Sequence, residues 1–293
     1  MKFDFIGRKK IWFMISALVI FIGLVALFVK GLNFGIEFKG GTLLDIKFED
    51  YVSVSSARDV LKNFGLEGSI IQPVSATEMV IRMKSLTPDE QGKVISALGD
   101  KFKVKDYSVQ RVGPGWGVHI TNAALIALSL SIAGLLIYTS WRFEFKMAVS
   151  AIVALIHDIL ITVGIYAFMG RVITPNTIAA LLTILGYSLY DTIVVFHRVL
   201  ENVPQKKGTY AQIVNESINQ TLIRSINTSL TTLLPVVALL FFGGETLKDF
   251  AFVLFIGVAS GTYSSIFTAS PVLVLWKEKE PKYMALKEKY AKI

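Results

Sequence analysis

The 293-residue chain is 53% hydrophobic yet 18% charged, carries a net charge of +8 and has no cysteine. Its mean hydropathy of +0.57 is that of a polytopic membrane protein, not of a soluble globule of this size. Disulfides, thiolate metal sites and cysteine nucleophiles are thereby excluded. The basic residues flank apolar runs, so the positive charge is assigned to membrane orientation and nucleic-acid binding is set aside.

In chain order, the first apolar run, Ile11 to Val29, follows Lys2, Arg8, Lys9 and Lys10. It is too long for a signal-peptide core and no small-residue cleavage site follows, so it reads as a retained first span. Residues 31–117 contain no run of the roughly 20 apolar residues that a crossing requires. Within them Leu44, Ile46 and Phe48 alternate with Asp45, Lys47 and Glu49, the period of a half-buried strand. Val54, Ala57, Val60, Leu61 and Phe64 fall at helical spacing, with Ser53 as a cap and Gly65 as a stop. Ile70–Val74 and Met79–Met83 read as strands, Thr87-Pro88-Asp89-Glu90 as a capping box opening a helix that stops before Gly99, and Val104–Val112 as a last strand. The order β-α-β-β-α-β is that of a ferredoxin-like α+β domain.

Gly113, Pro114 and Gly115 form, with Trp116 and Gly117, a turn-rich hinge back to the membrane. Five further spans are expected at about Val118–Ser140, Met147–Phe168, Asn176–Phe196, Ile226–Phe242 and Phe250–Trp276, with a polar connection from His197 to Ser225. The fold class is therefore a polytopic α-helical membrane protein with six transmembrane helices and an extracytoplasmic ferredoxin-like domain. Its expected divisions are 1–30 (cytoplasmic N-terminus and first span), 31–117, 118–276 (spans two to six) and 277–293, a basic tail. The segments expected inside hold four, two, four and six Lys or Arg residues, while the short outer loops hold only Arg171 and Lys248. This places both termini in the cytoplasm and the domain outside.

Ionisable groups in the membrane mark candidate function, because a charge at mid-bilayer costs about 2.5–3.5 kcal/mol on insertion scales. Asp158 stands beside His157 in span three, and Asp191 stands in span four near Tyr187, Ser188 and Thr192. Each acid has two readings, a permanent structural contact or an ion path. Arg224 shares a helical stripe with Asn227, Thr228 and Thr231, and either faces Asp191 or snorkels to the inner surface. Gly257 and Gly261, four apart, suit close helix packing, and Pro235 suits a bend. No H-E-x-x-H, G-x-S-x-G or Walker A pattern is present, which speaks against a hydrolase or ATPase. Any work done must draw on a partner or an ion gradient.

Five segments, GLNFGIEFKGGT (31–42), ALIHDILIT (154–162), LLTILGYSLYDTIVVFHRVLEN (181–202), INQTLIRSINTSLTTLL (218–234) and GTYSSIFTASPVL (261–273), resemble the SecD/SecF family of the RND superfamily, on the SecF side. That resemblance implies one six-span half of a unit in the bacterial cytoplasmic (inner) membrane. SecD is then the other half, the SecYEG channel and YajC are neighbours, and an unfolded translocating polypeptide is the client. It further implies protons as the coupling ion with no other cofactor, and a proton relay through Asp191, Arg224 and Asp158, supported by His157, Ser188, Thr192, Asn227, Thr228 and Thr231. Many members carry Asn in place of Tyr190 and Asp in place of His197. Half of a small-molecule or lipid exporter is the alternative, to which a single small external module is poorly suited. A purely structural channel subunit is the third reading.

Overall fold

The computed structural model describes residues 3–205 and 207–290, except for the side chains of Pro114, Glu245 and Thr246. Lys2, Lys206 and Lys292 of the charge count, and the side chain of Pro114 in the expected hinge, lie outside the described residues. Helix α1 (Lys9–Lys30) leads through β1 (Asn33–Phe34) and the single turn α2 (Ile36–Lys39) to β2 (Gly41–Phe48) and α3 (Val54–Lys62). β3 (Ile70–Pro73), β4 (Glu78–Met83), α4 (Pro88–Phe102) and β5 (Val104–Val112) follow. Next come α5 (Pro114–Arg142), α6 (Phe145–Met169), β6 (Val172–Ile173), α7 (Pro175–Asn202) and α8 (Tyr210–Phe242). The last span is α9 (Glu245–Ser264), a π turn (Ser265–Ala269) and α10 (Ser270–Lys277), after which α11 (Pro281–Tyr290) closes the described chain. Among the described residues six helical segments are long and apolar enough to cross a membrane: α1, α5, α6, α7, α8 and the α9–α10 run. The chain divides into two compact units, Asn33–Ile126 with Val172–Pro175, and the remainder.

In the first unit the sheet order is β3-β4-β2-β5, all antiparallel, which is the order a β-α-β-β-α-β chain adopts in a ferredoxin-like fold. The alternation in β2 buries Leu44, Ile46 and Phe48 against Ala57 and Leu61 of α3 and Val94 and Leu98 of α4. Ser53 Oγ accepts the Ser56 N–H at 3.1 Å, and Thr87 and Glu90 form the reciprocal capping box. Helix α4 does not stop at Gly99, however. It runs to Phe102, and Lys103 takes the left-handed terminal conformation with φ 49°. The Phe102 ring packs edge-on to Phe48 at 5.8 Å, and burying it outweighs the roughly 1 kcal/mol that a helical glycine costs.

Gly41 has φ +154°, and a Cβ there would stand 2.6 Å from the Met83 carbonyl, so the residue opening β2 has to be glycine. The expected hinge is also different: Pro114 to Gly117 form the first turn of α5, where proline's missing N–H is no loss. A Cβ on Gly117 would overlap the Phe38 carbonyl, whereas at Gly113 and Gly115 there is open space. A two-residue parallel pairing of β1 with β6 brings Val172 and Ile173, from between two spans, into this unit.

In the second unit the core runs through Leu155, Leu189, Phe196, Val199, Val214 and Leu273. The stretch His197–Ser225 is mostly helix and not a polar connection: α7 continues to Asn202 and α8 begins at Tyr210, after a Thr209–Gln212 capping box. Tyr210, Ile213, Val214, Ser217 and Ile218 recur at helical spacing and are buried, so an amphipathic stripe extends span five inward. Two features seat α1. Gly23 meets Gly164 of α6 so closely that a Cβ on Gly23 would lie 2.9 Å from the Gly164 Cα. Before α1, Asn215 Oδ1 accepts the N–H groups of Phe5 (2.7 Å) and Ile6 (3.2 Å), and Asn219 Oδ1 accepts that of Phe3 (2.9 Å). At the end of the α9–α10 span, buried Lys277 pairs with Glu144 and with Glu280, which Lys146 also reaches at 2.8 Å. The Lys146 hydrogen bond, with Lys277 adding to it, holds the Glu280 carboxyl below the usual glutamate range.

Candidate functional site: a buried polar centre between the spans

Three acids are buried among the described residues of the helical unit: Asp249, which pairs with Arg171 at 2.7 Å, and Asp158 and Asp191, whose surroundings differ. Asp158 of α6 has no exposed surface. Its Oδ2 accepts Ser188 Oγ of α7 (2.6 Å) and Ser264 Oγ of α9 (2.7 Å), and its Oδ1 accepts Ser260 Oγ of α9 (2.6 Å). Nδ1 of His157 stands 3.1 Å from Oδ1. Four polar partners thus occupy the carboxyl group's acceptor positions, and one side chain ties three spans together.

This geometry depends on small residues. A Cβ on Gly261 would lie 2.8 Å from the Ser188 Cβ, and one on Gly257 would overlap the Ile184 side chain. The two glycines let the backbone of α9 approach α7 closely enough for Ser260 and Ser264 to reach Asp158. The π turn follows immediately; Ser265 Oγ sits 2.8 Å from Thr192 Oγ1, and Ser270 Oγ donates to the Ser265 carbonyl across the widened turn at 2.9 Å. Such turns inserted in α-helices are frequent at functional positions.

Asp191 of α7 is 2% exposed but loosely held. Ser229 Oγ of α8 stands 3.5 Å from its Oδ2, at the outer limit of a hydrogen bond. That hydroxyl is shared: Thr262 Oγ1 lies 2.5 Å away, Tyr187 donates to it at 3.4 Å, and the Ser225 carbonyl is 2.9 Å away. No Lys or Arg lies within ion-pair distance of Asp191 among the described residues.

Arg224 therefore does not pair directly with Asp191. Its Nη2 donates to the Tyr190 hydroxyl at 3.2 Å. Consecutive helical residues point about 100° apart, so the face that offers Tyr190 to Arg224 turns Asp191 inward. The expected stripe follows Arg224: Asn227 and Thr231 are exposed and Thr228 is half-buried. The face of α8 that turns inward carries Ser217, Thr221, Ser225 and Ser229, four apart and all buried. This hydroxyl ladder stands in the sequence at helical spacing; next to an arginine it was overshadowed, although small hydroxyls bury in a helix far more cheaply than a guanidinium. His119 is exposed, and His197 is exposed and faces Glu201 at 3.4 Å. No group of three or more His, Asp or Glu side chains could hold a metal ion among the described residues.

Comparison with known proteins identifies the family. Residues 93–279 match the family described as protein export membrane protein SecD/SecF, C-terminal, and residues 25–52 match the SecD/SecF GG motif, which contains Gly40 and Gly41. The chain is 41% identical to a protein translocase subunit SecF of Streptomyces coelicolor, over 98% of this chain and 80% of that protein. It is 40% identical to the corresponding subunit of Thermodesulfovibrio yellowstonii, over 93% of this chain and 94% of that one. The crystal structure of SecDF from Thermus thermophilus, a translocon-associated membrane protein, superposes with a TM-score of 0.89 at 36% identity, covering 95% of this chain but 39% of the longer one.

Proposed function

This chain belongs to the SecD/SecF family of protein-export membrane proteins as a SecF subunit of protein translocase, and we propose that Asp191 couples proton movement across the bacterial cytoplasmic membrane to export. The observation that carries this reading is the contrast between the two acids. Asp158 is held by four partners, whereas Asp191 is equally buried with one long hydrogen bond. A carboxyl group that loses little on changing charge state, in a place where its charge is costly, is suited to pick up and release a proton.

Protonation removes the cost of burying Asp191's charge and frees Ser229 to keep its bonds to Thr262 and the Ser225 carbonyl. The packing of α7, α8 and the π-turn region is then the element that shifts between two states. One charge crossing 100 mV supplies about 2.3 kcal/mol, enough to move a two-state ratio by roughly fifty-fold. The strand β6 lies between the two acid-bearing helices and pairs with β1. Movement of those helices would thus reach the sheet-bearing unit through the backbone.

SecD is the expected other half, as the fused SecDF chain suggests. The exposed Arg224, Asn227 and Thr231 face of α8 would be costly against lipid and suits that partner. The SecYEG channel, YajC and an unfolded polypeptide on the outer side complete the proposed assembly, with both termini in the cytoplasm. Replacing Asp191→Asn in a secretion-dependent strain tests the reading: export assisted by the gradient is lost at normal protein levels, and undiminished export would refute it.

A further inference from the structure

A chain of hydrogen bonds runs from the carbonyl of Trp12 to Asp158 through Tyr263, Ser16 and His157. Tyr263 Oη donates to the Trp12 carbonyl at 3.1 Å, and Ser16 Oγ donates to Tyr263 Oη at 3.2 Å. His157 Nε2 lies 3.1 Å from Ser16 Oγ, and His157 Nδ1 lies 3.1 Å from Asp158 Oδ1. His157 and Tyr263 stack with rings 17° from parallel, which fixes the imidazole plane. Ser16 is seven residues before Gly23 and His157 seven before Gly164, so the glycine contact between α1 and α6 brings them together two turns away.

We infer that His157 and Asp158 share one buried proton, so that the pair is neutral overall, and that Ser16 and Tyr263 are the positioning residues that hold it so. A carbonyl only accepts, so Tyr263 spends its single proton on Trp12. Its oxygen then accepts from Ser16, which spends its own proton there. Ser16 must in turn accept from His157, and Nε2 therefore carries hydrogen. The remaining contact, between Nδ1 and Asp158 Oδ1, holds the shared proton: either Nδ1–H faces a carboxylate, or Asp158 O–H faces a bare Nδ1.

Charge points the same way. With the polarity reversed, Tyr263 donates to Ser16, Ser16 donates to Nε2, and a neutral His157 faces an anionic Asp158. One net negative charge would then be buried among the spans with no Lys or Arg within ion-pair distance among the described residues. Three serine hydroxyls can soften that charge but not cancel it, and an unpaired ion in this setting is the costlier arrangement. As a proton store the pair serves the coupling proposed above, on which that purpose rests, while its charge state is measured independently of it.

The test is nitrogen NMR of the full-length chain, labelled with 15N-histidine, in lipid nanodiscs, with the His157 signals identified by their loss in His157→Gln. The expected result is hydrogen on Nε2 of His157. A neutral ring protonated only at Nδ1 overturns the inference, and this measurement needs no variant to fold. In Tyr263→Phe, Ser16 loses the acceptor for its proton, so its hold on Nε2 weakens and the His157 ring-nitrogen signals are expected to shift from those of the parent; ring nitrogens that stay as in the parent overturn the role of Tyr263. Asp191→Asn is expected to leave the His157 signals in place, and their displacement would contradict a store separate from Asp191.

Discussion

The two acids should fail differently when neutralised. In Asp158→Asn one carboxyl oxygen becomes an amide nitrogen that donates where two partners formerly donated to it, since Oδ1 faces Ser260 and His157 and Oδ2 faces Ser188 and Ser264. Interhelical hydrogen bonds in membranes cost about 0.6 kcal/mol on average when removed, and bonds to a charged partner are roughly twice as strong. Losing two, with partial relief as hydroxyls turn, comes to about 2 kcal/mol. In Asp191→Asn a single 3.5 Å bond is at stake, and the amide also removes a buried charge, so the expected loss is under about 0.5 kcal/mol. Thermal unfolding in detergent, with the parent and both variants side by side, measures this. Asp158→Asn should melt clearly below the parent and Asp191→Asn close to it. Equal melting of Asp158→Asn and the parent, or the reverse order, would refute the assignment of Asp158 as the knot of the bundle.

Three further outcomes follow from the same packing. Gly261→Ala puts a methyl group 2.8 Å from the Ser188 Cβ, an overpacking expected to cost about 1–3 kcal/mol, which is visible as a lowered melting temperature. Gly41→Ala should loosen the sheet, costing about 1–3 kcal/mol for the φ of +154° before the clash with the Met83 carbonyl is counted; faster hydrogen exchange in β2 and β4 than in the parent is the readout. Because Glu280 is held below the usual glutamate range by Lys146 and Lys277, its contribution to seating α11 is present above that range and is lost as pH falls through its lowered value. Hydrogen exchange of residues 281–290 should therefore rise only in acid, and Glu280→Gln should remove that pH dependence.

Much of the architecture was legible because it is written in short-range periodicity. The alternation of β2 and the Thr87–Glu90 box specified strand, helix and burial without knowledge of their neighbours. What escaped depends on distant residues. The inward extension of α8 from Tyr210 has no long apolar run and is recognisable as helix only once its buried stripe has a core to face. The β1–β6 pairing joins residues far apart in the chain through two backbone positions each, too few for any pattern. The π turn has no marker beyond a serine-rich stretch. At the polar centre, Asp158 and Asp191 stood out by cost alone, but their difference in grip comes from serines on separate helices. Arg224, the natural partner for an acid on charge grounds, donates to the neighbouring Tyr190 instead.

The most direct test of Asp191 as the coupling group is proton entry into liposomes containing this chain together with SecD, followed by an enclosed pH dye under an imposed gradient. Proton entry should fall to the level of empty liposomes in Asp191→Asn, while Asp59→Asn, the same change at an exposed acid of α3, retains it. Entry at the parent rate in correctly folded Asp191→Asn would contradict the account.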